Sequence, residues 1–226
     1  MFRHLLNKLI PQSCFLCRTN GPQFICADCL ADLPYQQQGC HRCARPLVTD
    51  DYLCTTCQAH PPVFEHAQTV FTYRYPIDKL IHAAKYSGNF GVLFLLGEIM
   101  ATHLHIDNRP EVLIPVPLHP RRLRQRGYNQ SLELAKIVAR HTGIPIDYKA
   151  CVRQRYTVPQ VSLQRLQREE NIRGAFRVQS ASLKWTHVAI LDDVMTTGST
   201  VQELARVLTA AGVKRVEVWC CARTLD

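Results

Sequence analysis

From residue 65 onward, short apolar runs alternate with segments whose apolar positions recur at helical spacing. TVFTYRY (69–75) predicts a strand and IDKLIHAAKY (77–86) a helix. Residues 90–105 predict a second helix, and VLIPVP (112–117) a buried strand ended by prolines. Ser131 is placed to cap a helix that turns Leu134, Ile137 and Val138 inward and stops at Gly143. VAILDD (188–193) predicts a strand buried on both faces, and STVQELARVLTAAG (199–212) a helix with Val201, Leu204, Ala205 and Leu208 inward. RVEVWCCA (215–222) predicts a final strand in which Cys220 and Cys221 pack as small apolar side chains. This order predicts an α/β fold, a parallel sheet with flanking helices, over 65–226. Residues 1–64 lack the pattern and form a separate small domain.

That small domain holds eight of the 11 cysteines as four C-x-x-C pairs: Cys14/Cys17, Cys26/Cys29, Cys40/Cys43 and Cys54/Cys57. Two thiolates separated by two residues can turn around one metal ion, and two such knuckles complete the tetrahedral shell that zinc accepts. Eight ligands make two structural zinc sites, both coordinatively closed. The connecting loops are shorter than the roughly 15–20 residues of many four-cysteine fingers, which favours sequential pairing; an interleaved cross-brace is the alternative. Few large apolar residues lie between the ligands, so metal binding supplies the folding free energy. His41 and His60 could replace a thiolate, but surface histidines beside such sites are more often bystanders.

The composition, 226 residues with 46% apolar side chains, excludes disorder, collagen and coiled coil. No run is long and apolar enough for a membrane span, since Phe90–Met100 is interrupted by Gly91, Gly97 and Glu98. MFRHLLNKLIPQSC lacks a continuous apolar core and a cleavage site, so the expected location is the cytoplasm. Lys and Arg total 27 against 18 Asp and Glu, and the whole excess falls in 119–177, which has thirteen basic and four acidic residues. A positive field that local attracts a polyanion or a phosphorylated ligand.

HVAILDDVMTTGSTVQEL places two carboxylates and a Thr-Thr-Gly-Ser-Thr turn between a buried strand and a helix. Main-chain N–H groups of the turn and of the helix start can bind a monophosphate, with the hydroxyls of Thr196, Thr197, Ser199 and Thr200 as further donors. Asp192 and Asp193 would repel phosphate, so ribose hydroxyls or magnesium are their expected partners. Arg121, Arg122, Arg124 and Arg126 directly follow the VLIPVP strand, with Tyr128 and Tyr156 nearby as candidates for stacking on bases. No recognition helix is present, so binding to nucleic acid would be independent of sequence.

VAILDDVMTTGST resembles the 5-phosphoribosyl-1-pyrophosphate (PRPP) motif of type I phosphoribosyltransferases. Together with the four cysteine pairs, IPVPLHPRRLRQRGYNQS and VWCCART, it resembles the ComF (GntX-like) family of competence and DNA-utilisation proteins over nearly the whole chain. The resemblance implies a type I phosphoribosyltransferase-like sheet preceded by a double zinc ribbon, in a protein that handles single-stranded DNA during natural transformation. By position it places Asp192 and Asp193 at the ribose of PRPP and Met195, Thr196, Thr197, Gly198, Ser199 and Thr200 around its 5-phosphate. Leu118 and His119 fall at the pyrophosphate, and PRPP would bring Mg2+. Residues 152–171, with Arg153, Arg155, Arg165, Arg168 and Asn171, match a mobile hood, in keeping with their low apolar content. No segment specifies an acceptor base. Three functions follow: a single-stranded DNA binder on a PRPP-binding scaffold, which the local charge favours; a working Mg-dependent transferase; and a zinc-ribbon adaptor that docks a DNA-translocation helicase or another competence protein.

Overall fold

The structure, a computed structural model, describes residues 13–47, 51–157, 170–179 and 184–225. Four parallel strands form the main sheet in the order β1-β6-β5-β2, with β1 His66–Thr72, β2 Val112–Pro115, β5 His187–Met195 and β6 Arg215–Arg223. Helices α3 (Ile77–Tyr86) and α4 (Phe90–His103) connect β1 to β2. Helices α5 (Pro120–Arg126) and α6 (Gln130–Thr142) follow β2, and α7 (Ser199–Ala210) joins β5 to β6. Strands β3 (Cys151–Arg153) and β4 (Phe176–Val178) form a separate antiparallel pair. Among the described residues, no helix is long and apolar enough to cross a membrane.

The central strands are apolar on both faces because each face is covered, and the strand period of two divides their side chains. Ala189, Leu191, Trp219 and Cys221 join α3, α4 and α6 in one core; Val188, Ile190, Val216, Val218 and Cys220 join α7 in the other. Cys220 and Cys221 are fully buried, as expected of core thiols. Strand β1 begins earlier than its sequence pattern suggests, and α6 is capped by Asn129, whose side chain accepts from the Ser131 N–H, rather than by Ser131. The basic run after β2 is itself helical: His119 caps α5 by accepting from the Arg121 N–H.

The cysteine pairs build one unit twice. In each, a knuckle (Cys14 to Cys17, Cys40 to Cys43) is followed by a residue with left-handed backbone, Arg18 or Ala44. Each then reaches a short helix, α1 (Ala27–Ala31) or α2 (Thr55–Ala59), that starts just after Cys26 or Cys54. Both units lend side chains to the main domain. Cys14, Ile25 and Leu33 enter the α3/α4 core, and Ala44 enters the α7 core with the neighbouring Phe64.

Helices α4 and α6 touch at Gly97, where an added Cβ would lie 2.6 Å from Ile137 Cδ1 and 2.9 Å from Ile137 Cβ. The latter atom sits on the α6 backbone and cannot rotate away. Gly97→Ala is therefore expected to destabilise the protein by about 1–3 kcal/mol despite alanine's better helix propensity, measured by urea denaturation; equal or greater stability would show that α6 yields.

Candidate functional site: an acidic pair, a glycine turn and two cysteine clusters

The sulfur atoms group sequentially, not in the interleaved pattern. Cys14, Cys17, Cys26 and Cys29 lie within 4.8 Å of one another, as do Cys40, Cys43, Cys54 and Cys57. Cys17 and Cys26 Sγ are 3.7 Å apart, and so are Cys43 and Cys54 Sγ. That is close to the edge, about 3.8 Å, of a tetrahedron with zinc–sulfur bonds of about 2.3 Å. All 11 cysteines are free. Burial opposes ionisation of Cys14, yet N–H groups of Cys17, Cys26 and Leu16 bring its thiol down to about 6. At Cys40, N–H groups of Cys54, Cys43 and Arg42 overcome burial to reach about 7. These donors favour the thiolate, which is the form that binds zinc. The chain therefore carries two four-cysteine zinc-ribbon sites.

At the other end of the chain, β5 delivers Asp192 and Asp193 to the carboxyl edge of the sheet, both less than one tenth exposed. The strand's alternation turns Asp193 toward the α3 face, where Lys85 Nζ lies 3.0 Å from Asp193 Oδ2. Burial disfavours the Lys85 ammonium, but the Asp193 charge and hydrogen bond hold it above the ordinary lysine range. Asp192 Oδ1 accepts from Ser131 Oγ and from the Asp193 N–H, each at 2.9 Å. Its carboxyl is pushed up to about 7, first by burial and then by the Asp193 charge, against the pull of Lys85 and Ser131. The acidic pair thus engages the protein's own groups, and Lys85 and Ser131 are site residues that sequence reasoning missed. Lys85 reads as an ordinary basic residue in the last turn of a helix, and Ser131 as a cap.

The loop after β5 turns at Gly198, whose φ of 81° is the left-handed conformation that favours glycine, and α7 begins at the next residue. Thr197 Oγ1 and Ser199 Oγ lie 2.9 Å apart across the turn, and Ser199 N donates to Thr197 Oγ1. Arg223, unremarked in the sequence at the end of an apolar strand, sits behind this loop and donates to the carbonyls of Met195 and Thr196.

The basic residues divide by what they touch. Arg153 is half-buried, within electrostatic reach of Arg122 and Asp192, and burial first, then Arg122, lowers its guanidinium to about 10. Its Nη2 donates to Thr157 Oγ1, while its Nε is buried without a hydrogen-bond partner among the described residues. Tyr156 packs edge-on against His119, with Arg121 4.9 Å and Arg122 5.9 Å from its ring centre. His119, Arg121 and Arg122 therefore gather around Tyr156, Leu118 directly precedes them in the chain, and Arg124 is exposed on α5. Arg126 instead reaches Gln130 at 2.6 Å and covers Tyr86, and Arg155 donates to the carbonyls of Glu170 and Asn171. Tyr128 is not presented for base stacking: its hydroxyl donates to the Ala84 carbonyl and its ring packs on Phe90. Arg165 and Arg168 lie outside the described residues.

The raised Asp192 carboxyl makes stability depend on pH. Between about pH 4, where an unfolded aspartate titrates, and about 7, the folded chain holds a proton that the unfolded chain has released. Stability intact below that range is lost as pH rises through it. Asp192→Asn removes the charge and keeps an oxygen for Ser131. It is expected to be more stable than the parent by about 2–4 kcal/mol near pH 8 and equal to it below about pH 4, as read by denaturant titration at each pH. Parallel pH profiles would show that Asp192 titrates like an exposed carboxylate.

The double zinc ribbon domain family matches residues 5–58, and the phosphoribosyl transferase domain family matches residues 129–225. The parallel sheet with its flanking helices is accordingly phosphoribosyltransferase-like. DNA utilization protein YhgH of Escherichia coli (strain K12) is 33% identical over 225 residues, covering 96% of this chain and 99% of that protein. Competence protein F of Haemophilus influenzae is 30% identical over 224 residues, covering 93% and 96%. Competence protein ComFC of Streptococcus pneumoniae is 24% identical over 217 residues, covering 93% of each. With a double zinc ribbon joined to a phosphoribosyltransferase domain and full-length relatives of these names, the chain belongs to the ComF family of competence and DNA-utilisation proteins.

Proposed function

We propose that this protein binds single-stranded DNA in the cytoplasm during DNA uptake, on a scaffold that also binds PRPP. The observation that carries this reading is the meeting of positive charge and an exposed aromatic ring, Tyr156 beside His119, Arg121 and Arg122, with Arg153 feeling the charges of both Arg122 and Asp192. Arginine forks grip phosphates without reading sequence, and a tyrosine face accepts any base. The relatives' names, DNA utilization protein and competence protein, agree with a nucleic-acid role.

For PRPP, residues 195–200 would hold the 5-phosphate, Asp192 and Asp193 the ribose hydroxyls, and Leu118 and His119 the pyrophosphate. Magnesium, when bound, would neutralise pyrophosphate charge. Asp192, with its carboxyl near neutrality, can accept from or donate to a sugar hydroxyl. Lys85 compensates Asp193, so the acidic pair does not repel a neighbouring phosphate with two bare charges. The zinc ribbons then serve as scaffold and as a docking surface for a DNA-translocation helicase or another competence protein.

A titration with single-stranded DNA at two salt concentrations, with and without PRPP and magnesium, tests the reading. Affinity is expected to fall steeply with salt, and replacing Arg121, Arg122, Arg124 and Arg126 with Ala to flatten that slope. Tyr156→Ala is expected to weaken binding by about 1–3 kcal/mol at either salt concentration. Competition between DNA and PRPP supports one shared groove. Undetectable or salt-insensitive DNA binding sinks the proposal, and pyrophosphate release would favour the transferase instead.

A further inference from the structure

Arg223 ends β6 and is 2% exposed. Its Nε donates to the Cys43 carbonyl at 3.2 Å; its Nη1 donates to the carbonyls of Met195, at 3.1 Å, and Thr196, and to Thr224 Oγ1 at 3.2 Å. One side chain therefore joins a knuckle of the second cysteine cluster to the start of the phosphate loop. All these acceptors are neutral, and no ion pair to a carboxylate is formed by Arg223 among the described residues. A buried guanidinium without a counter-charge is strongly disfavoured. Cys43, whose carbonyl it touches, also supplies Sγ to the cluster of Cys40, Cys54 and Cys57. Four thiolates around one divalent zinc leave that centre net negative. Arg42 and Arg45, close to Cys43 in the chain, have buried Nε atoms without hydrogen-bond partners among the described residues. Arg45 Nη1 lies 3.4 Å from the hydroxyl of Thr56, the residue before Cys57, so Arg45 and Arg223 are positive groups beside this cluster that its charge would balance. Because a trans peptide points its N–H opposite its C=O, holding the Met195 and Thr196 carbonyls on Arg223 directs the Thr196 and Thr197 N–H groups to the other side of the loop.

We infer that Arg223 is a positioning residue that makes the shape of the phosphate loop depend on metal in the second cysteine cluster. The metal centre supplies the counter-charge that keeps Arg223 in place, and Arg223 sets the loop's N–H groups for an anion. The inference rests on the proposed phosphosugar site for its ligand, and on the loop's own ordering for a test that needs no ligand.

The full-length chain serves for the test, with Arg223→Gln, Arg223→Lys, Cys57→Ser and the double variant Arg223→Gln/Cys57→Ser. Zinc content, amide hydrogen exchange over 195–200 and ribose 5-phosphate affinity are measured for each. Arg223→Gln is expected to retain both metals while the loop exchanges roughly tenfold faster and ribose 5-phosphate binds roughly tenfold more weakly. Cys57→Ser should lose one metal and show the same changes, and the double variant should be no worse than the poorer single one, because both act through one link. Arg223→Lys keeps a charge but cannot span both contacts, so its loop should also exchange faster; it stands in if the glutamine variant fails to fold. Unchanged loop exchange in the Arg223 variants, or additive effects in the double variant, would overturn the inference. If the parent chain fails to bind ribose 5-phosphate while loop exchange follows the expected order, the phosphosugar reading fails and the link stands.

Discussion

Two neighbouring carboxylates buried at the end of one strand impose the main constraint on this molecule. Both cannot ionise without a nearby cation, because burial removes the water that would separate their charges. The protein answers with Lys85 from α3 on Asp193 and with Ser131 from α6 on Asp192. These contacts fasten two helices, distant in sequence, to the carboxyl edge of β5. A shift of either helix would strand a buried charge or a buried acceptor, a larger penalty than the net worth of the contact it breaks. The edge at which the Gly198 turn begins is therefore rigid by electrostatics as well as by packing.

The zinc ribbons make the second demand. Each is too poor in large apolar residues to form a core, and each contributes what it has to one face of the main sheet. The first covers α3 and α4 with Ile25 and Leu33; the second brings Ala44 to the α7 face. Metal binding, which supplies the folding energy of the knuckles, is in this way coupled to packing of the larger domain. The tie is also polar: Gln36, between the knuckles, donates through its N–H to Val70 of β1 at 2.8 Å and through its side chain to the Ala44 carbonyl. The small domain is a buttress built into the sheet's edge, not a bead on a linker.

The strands and helices of the main domain were legible because burial on both faces leaves continuous apolar runs, and amphipathic burial leaves a helical period. The cysteine pairs were legible because metal geometry imposes a spacing. The helix of the Arg121–Arg126 run was not, since it buries no residue fully and so carries no apolar stripe. The fate of Tyr128 was equally hidden: its neighbours Ala84 and Phe90 come from α3 and α4, and nothing local reports them.

By itself, the sequence determined which chemical groups exist and how they are spaced: eight thiols in pairs, two adjacent acids before a glycine turn, and a concentrated positive charge. Those properties are local, because spacing of a few residues governs what one strand, turn or knuckle can present. Only the tertiary structure decided which partners these groups meet. Lys85 finds Asp193 and Arg223 joins Cys43 to Met195 because the sheet order β1-β6-β5-β2 and the docking of the ribbons bring distant segments together. Burial then makes those meetings strong, since charges and carbonyls shielded from water must be satisfied by whatever the fold has placed beside them.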